Sequence, residues 1–129
     1  QKKYEIFISS IARNILEKLP YEDDSFEYIY SRLGLYYFTD AELEKIIPEL
    51  KRVLKSEGLL MLQVKSTSDK DFGKGKELEK DMFEDETGYI RHFFSREYAE
   101  EKLRDFSIVM IEERKIENGS AYLEIIVRK

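Results

Sequence analysis

The sequence predicts an α/β fold in which a mostly parallel sheet closes with an antiparallel hairpin. Three observations carry that expectation. Apolar segments of strand length alternate with segments of helical period, the pattern of strands joined by crossover helices. Residues 58–66, GLLMLQVKS, form a nearly continuous apolar run, as a strand buried on both faces requires. Near the end, Asn118-Gly119 separates two β-rich runs, the strongest short hairpin signal.

Taken in order, residues 4–8 are aromatic and β-branched and read as a strand. Residues 8–19 place Ile11, Ile15, Leu16 and Leu19 at helical spacing, which leaves that stretch ambiguous until Pro20 and a polar turn end it. Residues 26–35 read as a strand rich in aromatic side chains. Thr39 and Glu42 then form a capping box, followed by one apolar stripe of Leu43, Ile46, Ile47, Leu50, Val53 and Leu54. Pro48 inside this helix predicts a kink, and Gly58 is placed to close it in the left-handed conformation. After the strand at 58–66, residues 67–90 are polar, with a short helix expected around 76–82. Ser95 caps a helix carrying Ala99, Leu103 and Phe106. Strands at 108–116 and 121–128 finish the chain.

The 129 residues suit a single domain. The absence of Cys removes disulfides and thiolate metal sites, and one His leaves no reasonable zinc set, so no metal is expected. A net charge of −5 with scattered cations argues against a nucleic-acid partner. No apolar run approaches membrane-spanning length and no signal peptide opens the sequence, so the expected location is the cytoplasm, with no membrane partner. Gly73-Lys74-Gly75-Lys76 lacks the preceding strand and the Ser or Thr of a phosphate loop and is read as turn.

Three segments bring a resemblance. Leu19-Pro20-Tyr21-Glu22-Asp23-Asp24-Ser25-Phe26-Glu27 resembles the "LPF-x-D-x-SFD" segment of class I S-adenosylmethionine-dependent methyltransferases, which precedes their fourth strand. Residues 30–38, YSRLGLYYF, are similar to the end of that strand and its loop. Residues 49–58, ELKRVLKSEG, resemble "E-x-x-RVLKPGG", the turn into the fifth strand. The likeness covers roughly residues 14–129 and implies the carboxy-terminal part of a Rossmann-like class I methyltransferase domain. Two family features have no counterpart. Residues 1–19 contain no glycine, so the glycine-rich cofactor turn is missing, as is the acidic residue that holds the ribose.

What the resemblance implies about function follows from position. S-adenosylmethionine is the implied cofactor, provided the missing amino-terminal motifs are supplied, and a small molecule the implied acceptor. Asn14 stands where the family usually has an Asp near the adenine. Ser31, Arg32 and Leu33 border the methionine end of the cofactor, or simply finish a strand. Tyr36 and Tyr37 fall beside the substrate in relatives, yet an aromatic pair after a strand also serves a core. His92 is the candidate base, since an imidazole titrates near neutrality; a half-buried His ahead of a helix cap is the plainer reading. A non-catalytic partner module is the rival function. Without the family's first two strands, residues 26–35 would present an apolar edge, which either residues 4–12 folding back or a second copy could cover; residues 4–12 are short for the task, so a homodimer is expected.

Overall fold

The computed structural model describes residues 18–32 and 37–129. Their elements, in chain order, are β1 (Phe26–Arg32), α1 (Asp40–Val53), β2 (Leu54–Lys65), β3 (Lys76–Glu79), β4 (Met82–Glu84), β5 (Ile90–His92), α2 (Arg96–Lys102), β6 (Ser107–Lys115) and β7 (Ala121–Arg128). The expected strand at 4–8 and the ambiguous stretch up to residue 17 lie outside the described residues.

The main sheet has the order β1-β2-β7-β6. β1 pairs parallel with β2, and β7 is antiparallel to both its neighbours, so β1, β2 and β6 run one way and β7 alone runs back. This is the mostly parallel α/β sheet with a closing hairpin that the alternation predicted. A second sheet, β3-β4-β5, is wholly antiparallel and occupies the polar stretch between β2 and α2.

α1 starts where the capping box puts it: Glu42 N donates to Thr39 Oγ1 at 3.1 Å and Thr39 N to Glu42 Oε1 at 2.9 Å. Leu43, Ile46, Ile47, Leu50 and Val53 turn one apolar face onto the core, and the helix runs through Pro48. The core continues across the sheet with Ile29, Leu60, Leu62, Val64, Leu123, Ile125 and Val127. The face of β2 opposite to Leu60, Leu62 and Val64 is half-buried rather than covered, unlike the two-faced burial expected of that run.

Two local expectations are corrected. α1 ends at Val53, with Leu54 already extended, so Gly58 does not close it; Glu57 holds the left-handed conformation at φ 67°. Gly58 answers to space instead, because a Cβ there would lie 2.8 Å from the Lys55 carbonyl oxygen and 2.9 Å from Leu54 side-chain atoms. The helix expected around 76–82 is a β-hairpin, β3 and β4. Good helix formers occupy 76–80, but left-handed residues at Gly75 (φ 96°) and Asp81 (φ 63°) bracket too few positions to nucleate a helix.

Three anchors hold the parts together. Arg52 donates to Leu19 O, Tyr21 O, Asp23 Oδ1 and both Glu49 carboxylate oxygens, while Glu49 Oε1 accepts from Leu19 N at 2.7 Å. The pair therefore clamps the segment before β1 onto the end of α1. Beyond β2, buried Asp69 accepts from Ala121 N at 2.7 Å, Lys65 Nζ at 3.0 Å and Asp71 N at 3.0 Å, joining β2 to the start of β7. Phe94 N donates to Lys65 O and Phe93 N to Asp81 O, lacing the segment after β5 to both sheets.

Candidate functional site

The carboxyl ends of β1 and β2 lie side by side, with Ser31 opposite Leu62 and Arg32 opposite Gln63. Open α/β sheets take ligands at this edge. Ser31 is 4% exposed. This puts a small, nearly buried hydroxyl at that edge. Arg32 is exposed, and its Nε donates to Gln63 Oε1 at 3.2 Å. Asn14, Leu33 and Tyr36 lie outside the described residues. Tyr37 is 46% exposed and packs edge-on against Tyr89, with 6.2 Å between ring centroids.

His92 closes β5 and is 1% exposed. Its Nδ1 donates to Phe38 O at 2.8 Å, since a carbonyl oxygen can only accept. In the neutral ring the proton is therefore on Nδ1 and Nε2 keeps its lone pair. The ring lies between Phe94 and Tyr98, at 5.4 and 5.1 Å between centroids. Phe38 stands six positions after the last residue of β1 in the sequence.

His92 lines a cleft of about 500 Å³ with Asp40, Glu79, Asp81, Glu97, Tyr98 and Glu101 among its walls. Asp40 is its hub. Tyr98 Oη donates to Asp40 Oδ1 at 2.5 Å, Lys102 Nζ lies 2.6 Å from the same oxygen, and Asp40 N donates to Glu79 Oε2. Lys102 also bonds Glu44. The Lys102 ammonium, then the Tyr98 hydroxyl, hold the Asp40 carboxyl below the usual carboxylate range. Burial pulls the Lys102 pKa down, but its bonds to Asp40 and Glu44 outweigh that and raise it. Burial, reinforced by Asp40, pushes the Tyr98 phenol up, so it stays a donor. Asp40, Tyr98 and Lys102 escaped the sequence reading. The only signal was that both helix caps place a polar or aromatic residue in the first turn, at Asp40 and Tyr98.

Among the described residues no cluster of His, Asp and Glu could hold a metal ion, and no helix is long and apolar enough to cross a membrane.

A methyltransferase domain family model matches residues 2–62, which runs through β1 and α1 into β2 and starts earlier than the motifs alone suggested. The comparison with curated proteins gives no match. Among solved structures, a SAM-dependent methyltransferase from Methanosarcina mazei is 22% identical, with TM-score 0.65, covering 90% of this chain and 64% of its own. The 1,6-didemethyltoxoflavin-N1-methyltransferase of Burkholderia thailandensis, solved with 1,6-didemethyltoxoflavin and S-adenosylhomocysteine, is 18% identical with TM-score 0.67, covering 89% and 48%. The [4+2]-cyclase SpnF is 18% identical with TM-score 0.64, covering 89% and 53%. The chain thus spans about half to two thirds of the length of these structures. Local sequence and fold agree that this chain is similar to the class I S-adenosylmethionine-dependent methyltransferases.

Proposed function

We propose that the chain serves a cytoplasmic S-adenosylmethionine-dependent methyltransferase acting on a small molecule, with His92 beside the acceptor. The observation that carries this is the placement of His92: buried, with Nδ1 committed to Phe38 O and Nε2 left able to accept a proton. When bound, the cofactor supplies an activated methyl group. Ser31, Arg32 and Leu33 would border its methionine end, and Asn14 would stand near its adenine. Tyr36 and Tyr37 border the acceptor, and His92 takes the acceptor's proton at Nε2. The walls exclude water and orient the acceptor, which is most of what such a displacement asks of a protein.

The test is a titration of ¹⁵N-labelled protein with S-adenosylhomocysteine at millimolar concentration. Saturable shifts at the Ser31 and Arg32 amides are expected. Shifts elsewhere only, or none, reject this cofactor placement.

A second reading has its own observation. Residues 1–19 carry no glycine-rich turn, and the [4+2]-cyclase shows this fold under a name other than methyltransferase. A non-catalytic partner module would leave the titration silent at every residue. Pairing of two copies along the outer edge of β1, to which no described strand bonds, is part of the proposal under either reading.

A further inference from the structure

We propose that the cleft beside His92 binds an organic ammonium group, which makes the acceptor of the proposed methyltransferase an amine. The substrate role rests on that reading; the binding does not.

The cleft carries five carboxylates, Asp40, Glu79, Asp81, Glu97 and Glu101, against one lysine in its walls, Lys80. Asp40 is spoken for by Lys102 and Tyr98. Glu79, Asp81, Glu97 and Glu101 make no ion pair with any described residue, so the cleft keeps a strong negative field. Into this field faces His92, 1% exposed, whose Nε2 has no hydrogen-bond partner among the described residues. An acceptor nitrogen without a donor, on the wall of a cleft with excess carboxylates, calls for a ligand that brings both hydrogen-bond donors and positive charge. An ammonium group brings both.

A divalent metal fits less well. It needs oxygens converging at short range, and no such cluster occurs among the described residues. The carboxylates instead ring a cleft of about 500 Å³, wide enough for a small organic cation. The rings of His92 and Tyr98 offer its carbon skeleton a surface. An anionic or neutral ligand would leave the field uncompensated.

The experiment exploits His92 being the chain's single histidine, so its ring signals are unique in the NMR spectrum. The 129-residue chain is titrated with benzylamine, benzyl alcohol and benzoate, which share a ring and differ in charge. Saturable movement of the His92 signals is expected with benzylamine, at least about tenfold weaker binding of benzyl alcohol, and no response to benzoate. The double variant Glu97→Gln/Glu101→Gln, changed only at exposed positions, should weaken benzylamine binding about fivefold or more. Asp81→Asn should do the same, Asn tolerating the left-handed backbone there. Equal responses to all three probes would mark a merely apolar cleft and overturn the proposal, as would no response or variants that bind benzylamine unchanged. Shifts at Ser31 and Arg32 with S-adenosylhomocysteine report on the cofactor reading separately, so either can fail while the other stands.

Discussion

Asp69 shows how one side chain decides more than its position in the sequence suggests. It sits in a polar run that reads as loop, yet its side chain is 0% exposed and joins Lys65, Asp71 and Ala121. Burial favours its neutral form, but the amides of Ala121 and Asp71 and the Lys65 ammonium outweigh that and hold the pKa below its usual value. A depressed carboxylate contributes stability that is present above its unfolded value and lost as pH falls through the folded one. Acid unfolding followed by circular dichroism should therefore be steeper below about pH 4 in the parent protein than in Asp69→Asn. The same substitution leaves Lys65 buried without its counter-charge and should cost about 2–4 kcal/mol in urea denaturation at neutral pH. A cost under about 0.5 kcal/mol would show that Lys65 finds water instead. Arg52 is the second such residue. Sequence likeness marks Glu49 and Arg52 as a family signature, and the structure supplies the reason: they clamp Leu19, Tyr21 and Asp23 ahead of β1. Arg52→Met should lower stability by about 1–2 kcal/mol and leave cofactor affinity to change only through β1.

At the scale of elements, signals that are local in sequence translated directly. The capping box of α1, the Ser95 cap of α2 and the Asn118-Gly119 turn each depend on contacts within a few residues. Thr39→Ala should cost about 1 kcal/mol, measured as a shift in the urea midpoint with an unchanged slope. The misreading at 76–82 has the opposite character, because β3 exists only by pairing with β4 and β4 by pairing with β5. Gly75 is the control point of that small sheet. Its φ is 96°, and a Cβ would fall 2.2 Å from the Glu84 carbonyl oxygen. Gly75→Ala should therefore disturb β3 and β4 by about 2 kcal/mol or more, seen as early hydrogen exchange of 76–84 with the main sheet protected. Uniform protection would mean the turn relaxes without loss.

For the molecule as a whole, cofactor affinity and assembly are the quantities to measure. Without a glycine-rich turn within residues 1–19, the backbone amides that would approach the ligand are not supplied by this sequence. Isothermal titration of the 129-residue chain should show no saturation by S-adenosylmethionine at micromolar concentration; clear micromolar binding would show that other groups replace the turn. β1 is the outermost strand of the described sheet, with Tyr28 and Tyr30 about two-fifths exposed, at 42% and 39%. β6, at the other edge, carries Glu112, Glu113, Arg114 and Lys115, charges that discourage pairing there. If two copies pair, they should do so through β1. Light scattering should then give twice the 15.4 kDa chain mass at micromolar concentration, and a monomer at every concentration would refute the pairing.

The α/β class, the chain order of the main-sheet elements, the starts of α1 and α2, the closing hairpin and the family likeness were all legible in the amino-acid sequence. Each follows from periodicity, caps or turns, interactions that span a few residues and are therefore written in neighbouring letters. Packing in three dimensions set the insertion of β7 between β2 and β6, the folding of 76–92 as a sheet, and the meeting of His92, Asp40, Tyr98 and Lys102. Those contacts join residues as much as 62 positions apart, Asp40 to Lys102, and depend on which surfaces the packed core leaves facing each other. His92 stood out in the sequence as a lone imidazole. Its placement depends on a carbonyl 54 residues away, and nothing local to either partner encodes that pairing.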